Sequence, residues 1–443
     1  MLAWVILRGP VTRKEPSLMS YALLAIGVAA LLLTLNARFP RRHPLLLLPS
    51  FFSGWLSTEL APHLLVAEAA GIAATVAYGG LEGWAGWTGL ALGAAGTAGT
   101  IATILRARRT VVTLRECGVP LDLDPERAPR YPLTHLIVPP LCLIPRRGVQ
   151  ARRNVVFHEQ GRLRLKLDVY LPAEANSEEK GPRPGLMQIH GGAWIIGDKR
   201  EQGLPLLNHM AAQGWVGFNV NYRLSPRATW PEHLIDLKHF LKWYREHAAE
   251  YGADPEFLCV TGGSAGGHLT AMLALTANVP EFQPGFEDVD TSVQGAVPFY
   301  GVYDLVEPGP WPVPMGATAL MERMVVKKPF RHEPEAYARA SPANYLREDA
   351  PPFLVVHGSH DSLIPVAEAR RFVERLRATS ASPVIYAEMQ GGQHAFDVFP
   401  SYRTARVIEG VERYLTGLHR QYVTGARPSA PPSIPDEVSD SLG

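Results

Sequence analysis

The chain has 443 residues, and since single hydrophobic cores stop growing near ~250–300 residues, one large domain plus a further part is expected. Forty-three Lys and Arg against 42 Asp and Glu leave a net charge of +1, which offers no footprint for nucleic acid. Three cysteines, Cys117, Cys142 and Cys259, cannot make a complete disulfide set.

The first 110 residues read as a transmembrane helical region. Residues 16–37 are 22 positions without a charge, dominated by Ala, Leu, Val and Ile, enough at about 1.5 Å per residue to cross a hydrocarbon core of ~30 Å. A second uncharged stretch of 23 residues, 83–105, ends at Arg106-Ala107-Arg108-Arg109 and carries Trp84 and Trp87 as interfacial anchors. Its Gly, Ala and Thr content suits close helix packing in lipid. Between them, residues 44–81 are apolar but interrupted by Pro49, Glu59, Pro62, His63 and Glu68, and read as one span, two short ones or a re-entrant hairpin. A cleaved signal peptide competes for the first run; the further apolar runs argue for a retained, multi-pass membrane part. Arginines flank the spans on both sides, so charge does not orient the chain and the side of the catalytic domain stays open.

Residues 111–153, rich in Pro and Arg, read as a linker that packs onto the following domain or lies near the membrane surface. From 154 to 422 the pattern changes to alternating strands and helices. Residues 154–159 and the alternating run 162–170 read as a hairpin. Further strands are expected at 184–189, 215–222, 257–261, 294–300, 353–357 and 384–388, with helices such as 232–249 and 366–379 between them. That order predicts an α/β fold, a mainly parallel, doubly wound sheet with helices on both faces and a site at the carboxyl ends of the strands. Residues 303–350 form an irregular insertion whose Trp311, Met315, Leu320, Met321 and Met324 either line a pocket, form a lid or pack on the sheet. The segment 423–443, with Pro428, Pro431, Pro432 and Pro435 among Ser and acidic residues, reads as a disordered tail.

The chemistry rests on Gly262-Gly263-Ser264-Ala265-Gly266, which stands directly between the apolar run Phe257-Leu258-Cys259-Val260 and a helical pattern. A strand, sharp turn and helix of this kind lift a central serine out of the junction, and the flanking Gly262 and Gly266 must be nearly free of side chain. Ser264 is the candidate nucleophile. A serine hydroxyl needs a base, a group that orients the base, and donors for the oxyanion. The strand 184–189 runs into His190-Gly191-Gly192-Ala193-Trp194, whose paired glycines let amides approach a carbonyl oxygen; Gly191, Gly192, Ala193 and Ala265 are the candidate oxyanion hole, with His190 holding that loop. Asp361, after the strand 353–357, and His394, in Gly391-Gly392-Gln393-His394, follow the nucleophile in the order acid then base. Asp304 reads better as a loop carboxylate, His357 as a packed strand-end histidine and His268 as a helix-face residue. No pair of histidines has a metal-ligand spacing, so neither metal nor cofactor is expected.

These motifs, with Asn221-Tyr222-Arg223-Leu224-Ser225-Pro226, resemble the α/β-hydrolase superfamily over residues 150–420. Within it the chain resembles the carboxylesterase and hormone-sensitive-lipase-like branch, including membrane-anchored esterases of actinobacteria. The resemblance implies a serine carboxylic ester hydrolase of a bacterial plasma membrane, taking small-molecule or lipid esters, with an acyl pocket partly lined by a cap. Many relatives carry three glycines after the motif histidine; Ala193 at the third position leaves open which two amides serve. An acyltransferase or formamidase using the same triad, and a silent binding fold, stay as alternatives. The pattern gives no chain length, natural substrate or oligomeric state.

Overall fold

A computed structural model describes residues 15–119, 137, 148–173, 181–306 and 319–425. Residues 426–443 of the segment read as a tail, the proline-rich middle of the linker, Cys142, Trp311 and Met315 lie outside the described residues, while residues 423 and 424 of that segment end the last helix.

The N-terminal region is helical: α1 (Leu18–Arg38), α2 (Pro44–Glu59), α3 (Ala61–Ala77), α4 (Gly83–Arg108) and α5 (Thr110–Glu116). Ser17 caps α1 by accepting the Ser20 N–H at 3.2 Å. α1 lies along α4, and the absence of side chain makes the approach possible: a Cβ on Gly89 would stand 2.5 Å from the Leu24 nitrogen. α1 and the helix that starts at Gly83 are long and apolar enough to cross a membrane. The stretch 44–81, for which the sequence left three readings, forms two helices meeting at 90° with a break at Leu60, where α2 ends and Pro62 opens α3. By length and composition α2 and α3 together suit a broken span or a re-entrant pair.

The remainder is an eight-stranded sheet: β1 (Val149–Gln160), β2 (Leu163–Pro172), β3 (Arg183–Ile189), β4 (Val216–Val220), β5 (Ala253–Gly263), β6 (Gly295–Phe299), β7 (Phe353–Gly358) and β8 (Val384–Met389). The spatial order is β1-β2-β4-β3-β5-β6-β7-β8. β2 runs antiparallel to both β1 and β4, and every pair from β4 onward is parallel. β1 begins at Val149, ahead of Asn154, so the sheet takes up the last residues of the segment read as linker. The near-continuous apolar runs follow from burial on both faces. Along β5, Leu258 and Val260 point into one core with the helices α7 (Glu232–His247), α8 (Ala265–Leu275) and α9 (Val366–Thr379), while Phe257 and Cys259 point into the other with α6 (Leu204–Ala212) and α10 (Tyr402–Thr424). The cysteine is fully buried, a small apolar side chain. Leu114 of α5 also sits in the second core, against Gly410 of α10, so the start of the linker packs onto the sheet domain.

Candidate active site

β5 ends at Gly263 and α8 starts at Ala265, which leaves Ser264 alone on the turn with φ 58° and ψ −120°. This is a backbone state that side chains rarely adopt, and its neighbours hold it: the Ser264 N–H donates to Phe299 O at 3.0 Å, and Ser264 O accepts from His268 N at 2.9 Å. The turn is tight because α8 starts hard against β3. A Cβ on Gly262 would lie 2.6 Å from Ile189 O and 2.7 Å from Gly266 O, and one on Gly266 would strike Ile189 O. Both glycines are therefore required by space.

The end of β3 delivers the His190-Gly191-Gly192-Ala193-Trp194 segment beside this turn. A Cβ on Gly191 would be 2.6 Å from Gly263 O and 3.1 Å from the Ser264 Cβ. The segment takes an unusual path, with φ 112° at Gly192, 52° at Ala193 and 61° at Trp194. The Gly191 N–H is already committed to Gln202 Oε1 at 2.8 Å. Among the described residues no acceptor takes the amides of Gly192, Ala193 or Ala265. Of the four candidate donors, Gly191 is thus the one whose N–H is taken up within the loop itself. Gln202, eleven positions along, carried no sequence signal for this role.

The histidine of the motif is structural. His190 Nδ1 is 2.8 Å from Gly191 O, its ring stacks on Tyr222 at 4.5 Å, and burial lowers its pKa. The Asn221-Tyr222-Arg223 motif becomes legible here as the frame of that loop. Asn221 accepts Lys199 N at 2.7 Å and donates to Asp198 at 2.7 Å, Tyr222 Oη donates to His190 O at 3.0 Å, and Arg223 pairs with Asp236 at 2.7 Å.

Asp361 and His394 come together from the loops after β7 and β8. His394 Nδ1 lies 2.7 Å from Asp361 Oδ2. Asp361 is fully buried, and its other oxygen accepts Leu363 N at 2.9 Å and Ile364 N at 2.7 Å. Burial by itself would raise this carboxyl, but the His394 charge and the hydrogen bonds from His357 and His394 outweigh it and hold the group well below the usual carboxylate range. His357 Nε2 is 3.2 Å from Asp361 and 3.0 Å from Ile364 O, so this strand-end histidine braces the carboxylate.

Tyr300, with φ 36° just past β6, packs against both the base and the turn. Its ring centroid is 4.6 Å from that of His394, and a Cβ on Gly263 would be 2.6 Å from its hydroxyl oxygen. The hydroxyl donates to Asp397, a carboxyl that burial pushes up to about 6. Neither Tyr300 nor Asp397 stood out by motif; what brings them here is the sheet order, which places β6 and β8 on either side of β7. Asp304 is placed elsewhere, accepting the Val306 N–H at 2.9 Å and facing Arg375 at 3.5 Å. His268 is buried, bonded to Ala340 O at 2.7 Å, with its pKa lowered to about 4 by burial. Among the described residues no group of three His, Cys, Asp or Glu is arranged to hold a metal.

A serine on a strained turn, amides without acceptors beside it, and a histidine paired to a buried carboxylate are the parts that nucleophilic acyl transfer requires. Comparisons with known proteins agree. The BD-FAE family model matches residues 167–376. The chain is 47% identical over 282 residues to the probable carboxylic ester hydrolase LipM of Mycobacterium tuberculosis, covering 64% of each chain. It is 40% identical over 285 residues to esterase LipC of the same organism, covering 64% of this chain and 69% of that one. The match to esterase LipQ, at 44% identity, spans 55% of that protein. The alignments thus reach a little over half to about two thirds of these relatives' lengths. Among solved structures, a truncated carbohydrate esterase from gut microbiota superposes with a TM-score of 0.51 at 23% identity, over 61% of this chain and 96% of that one. Esterase B from Lactobacillus rhamnosis does so with a TM-score of 0.52 at 19% identity, over 63% and 88%. At such identities these structures speak for the fold.

Proposed function

Since the chain belongs to the α/β-hydrolase esterases, we propose that it is a serine carboxylic ester hydrolase working through an acyl-enzyme on Ser264, His394 and Asp361. His394 Nε2 takes the Ser264 proton as Oγ attacks the ester carbonyl; the new Oγ–C bond forms as the carbonyl electrons move onto oxygen. Asp361 fixes the tautomer with the proton on Nδ1 and steadies the imidazolium. The amides of Gly192, Ala193 and Ala265 receive the oxyanion, each worth on the order of 3 kcal/mol. Collapse expels the alcohol, which takes the proton from His394, and water activated by the same imidazole then releases the acid.

The observation that carries this reading is the 2.7 Å pair of His394 and Asp361 in a fold whose nucleophile turn holds Ser264 at positive φ. The N-terminal helices fit a membrane part: α1 and α4 are long and apolar enough to cross, with Trp84 and Trp87 exposed at one end. They support a multi-pass membrane anchor; the plasma membrane as its place and lipidic or short acyl esters as substrates are part of the proposal. Detergent-purified protein assayed on p-nitrophenyl esters from acetyl to palmitoyl, beside Ser264→Ala, tests it. Turnover lost in the variant supports the serine hydrolase, and the chain-length profile reports pocket depth. The acyl group passed preferentially to an added alcohol instead of water would identify a transferase, and no turnover in either protein would refute the reading.

A further inference from the structure

The catalytic loops are gripped by the helical region that precedes the sheet domain. Along α2, the side chains on one face all meet the loop that carries His394. The Phe51 ring stands edge-on to the His394 ring at 6.2 Å. Trp55 Nε1 donates to Ala395 O at 2.8 Å, and its indole packs on Phe399 at 4.6 Å. Gly54 lies close to the same loop: a Cβ there would stand 3.3 Å from the Gln393 side-chain nitrogen, and 3.1 Å from that of Asn36. Glu59, at the end of the helix, forms an ion pair with Arg403 at 3.1 Å, both side chains almost wholly buried, and accepts Ser401 Oγ at 2.6 Å. Arg403 in turn donates to Gln390 O at 2.7 Å. The base loop is thus bracketed from Gln390 to Ser401 by a single helix and its ion pair.

The loop needs such a bracket. Ala395, directly after the base, has φ 58°, a conformation that costs a non-glycine residue free energy and persists only where its surroundings enforce it. The Trp55 N–H holds the carbonyl of that very residue. The acid loop is held in the same way by the segment just before α2: Arg42 Nη2 donates to Asp361 O at 2.9 Å, and His360 Nδ1 lies 3.0 Å from Ala37 O. The other face of α2 carries Leu45, Leu46, Leu48, Phe52 and Leu56, all 44–81% exposed, which is the surface expected to meet lipid in a broken span.

We propose that Arg42 and the face of α2 formed by Phe51, Trp55 and Glu59 are a positioning element of the catalytic centre, with Trp55 setting the base and Arg42 the acid, so that the membrane part of the chain completes the active site rather than merely tethering it. The inference rests on the serine hydrolase reading. Trp55 and Arg42 are positioning residues: they act through the backbone of the two loops, so they change the rate of the chemical step and leave ester binding alone.

The test uses the full chain in detergent with p-nitrophenyl butyrate, comparing wild type, Trp55→Phe, Arg42→Met and, on the outer face, Leu48→Ala. Trp55→Phe keeps an aromatic ring against Phe399 and loses the donor; Arg42 is exposed, so its removal leaves folding intact. The expected result is kcat lowered about three- to tenfold in each of the first two, the range for one lost hydrogen bond. KM and the melting temperature should stay near wild type, and Leu48→Ala should be unchanged throughout. Wild-type kcat in both variants, or a raised KM with kcat intact, overturns the proposal while the hydrolase reading stands. An inactive wild type that also resists fluorophosphonate labelling overturns both.

Discussion

Replacing Asp361 by Asn isolates the role of the carboxylate with the least disturbance of shape. One Asp361 oxygen accepts the amides of Leu363 and Ile364 at 2.9 and 2.7 Å, so the Asn carbonyl will take that position and turn its NH2 toward His394 Nδ1. An NH2 only donates. The imidazole must then accept at Nδ1 and carry its proton on Nε2, where it can no longer take a proton from Ser264. A tautomer forced the wrong way lowers kcat by about 10⁴-fold in a serine triad, or about 5 kcal/mol of transition-state stabilisation at 1.36 kcal/mol per tenfold. Steady-state turnover of p-nitrophenyl butyrate at pH 7.5 should show that loss in kcat with KM little changed. A variant whose kcat stays within about tenfold of wild type would refute the assignment, because the tautomer argument leaves no such residual rate. The buried Asp397, reaching the base through Tyr300, would then be the acid to test.

Gly266→Ala should abolish activity and destabilise the fold by about 3 kcal/mol, since its Cβ meets the backbone oxygens of Ile189 and His190, which have no freedom to give; denaturant unfolding measures it, and wild-type stability would contradict the close-packed turn. Glu368 is buried, with its pKa pushed by burial from 4.5 to about 7 although it accepts the amides of Tyr303 and Asp304. A native state that holds a proton more tightly than the unfolded chain is fully stabilised below the unfolded pKa and loses that stability as pH rises through the folded value. Glu368→Gln, which keeps the accepting oxygen, should therefore gain stability relative to wild type between pH 5 and pH 8, by at most about 3 kcal/mol; parallel melting curves across that range would contradict it.

What was legible in the sequence is what short-range pattern dictates. The strands of the sheet announce themselves because both faces are buried, and α9 runs over residues 366–379 as its amphipathic spacing predicts. The turn at Ser264 is readable because only glycine fits beside it, and Asp361 and His394 because each follows a strand in the order that brings loops to one end of a parallel sheet. Contacts between distant segments left no such trace. Gln202 takes the Gly191 amide by a loop that folds back, and Tyr300 reaches His394 only once β6 and β8 flank β7. The apolar stretch 44–81 hid its main feature for the same reason. Phe51 and Trp55 read as ordinary members of a hydrophobic run and Glu59 as an interruption of it, and their spacing acquires meaning only against the segment 390–403.

Active-site labelling separates the nucleophilic serine from every other serine of the chain. Membranes containing the full chain are treated with a fluorophosphonate, digested and analysed by mass spectrometry, with Ser264→Ala and His394→Ala in parallel. The expected result is a single phosphonylated serine at Ser264 in the wild type, no adduct in Ser264→Ala, and labelling slowed at least about 10²-fold in His394→Ala, where the general base is gone. An unlabelled Ser264, or an adduct on another serine that forms equally fast in all three proteins, would contradict the assignment of nucleophile and base.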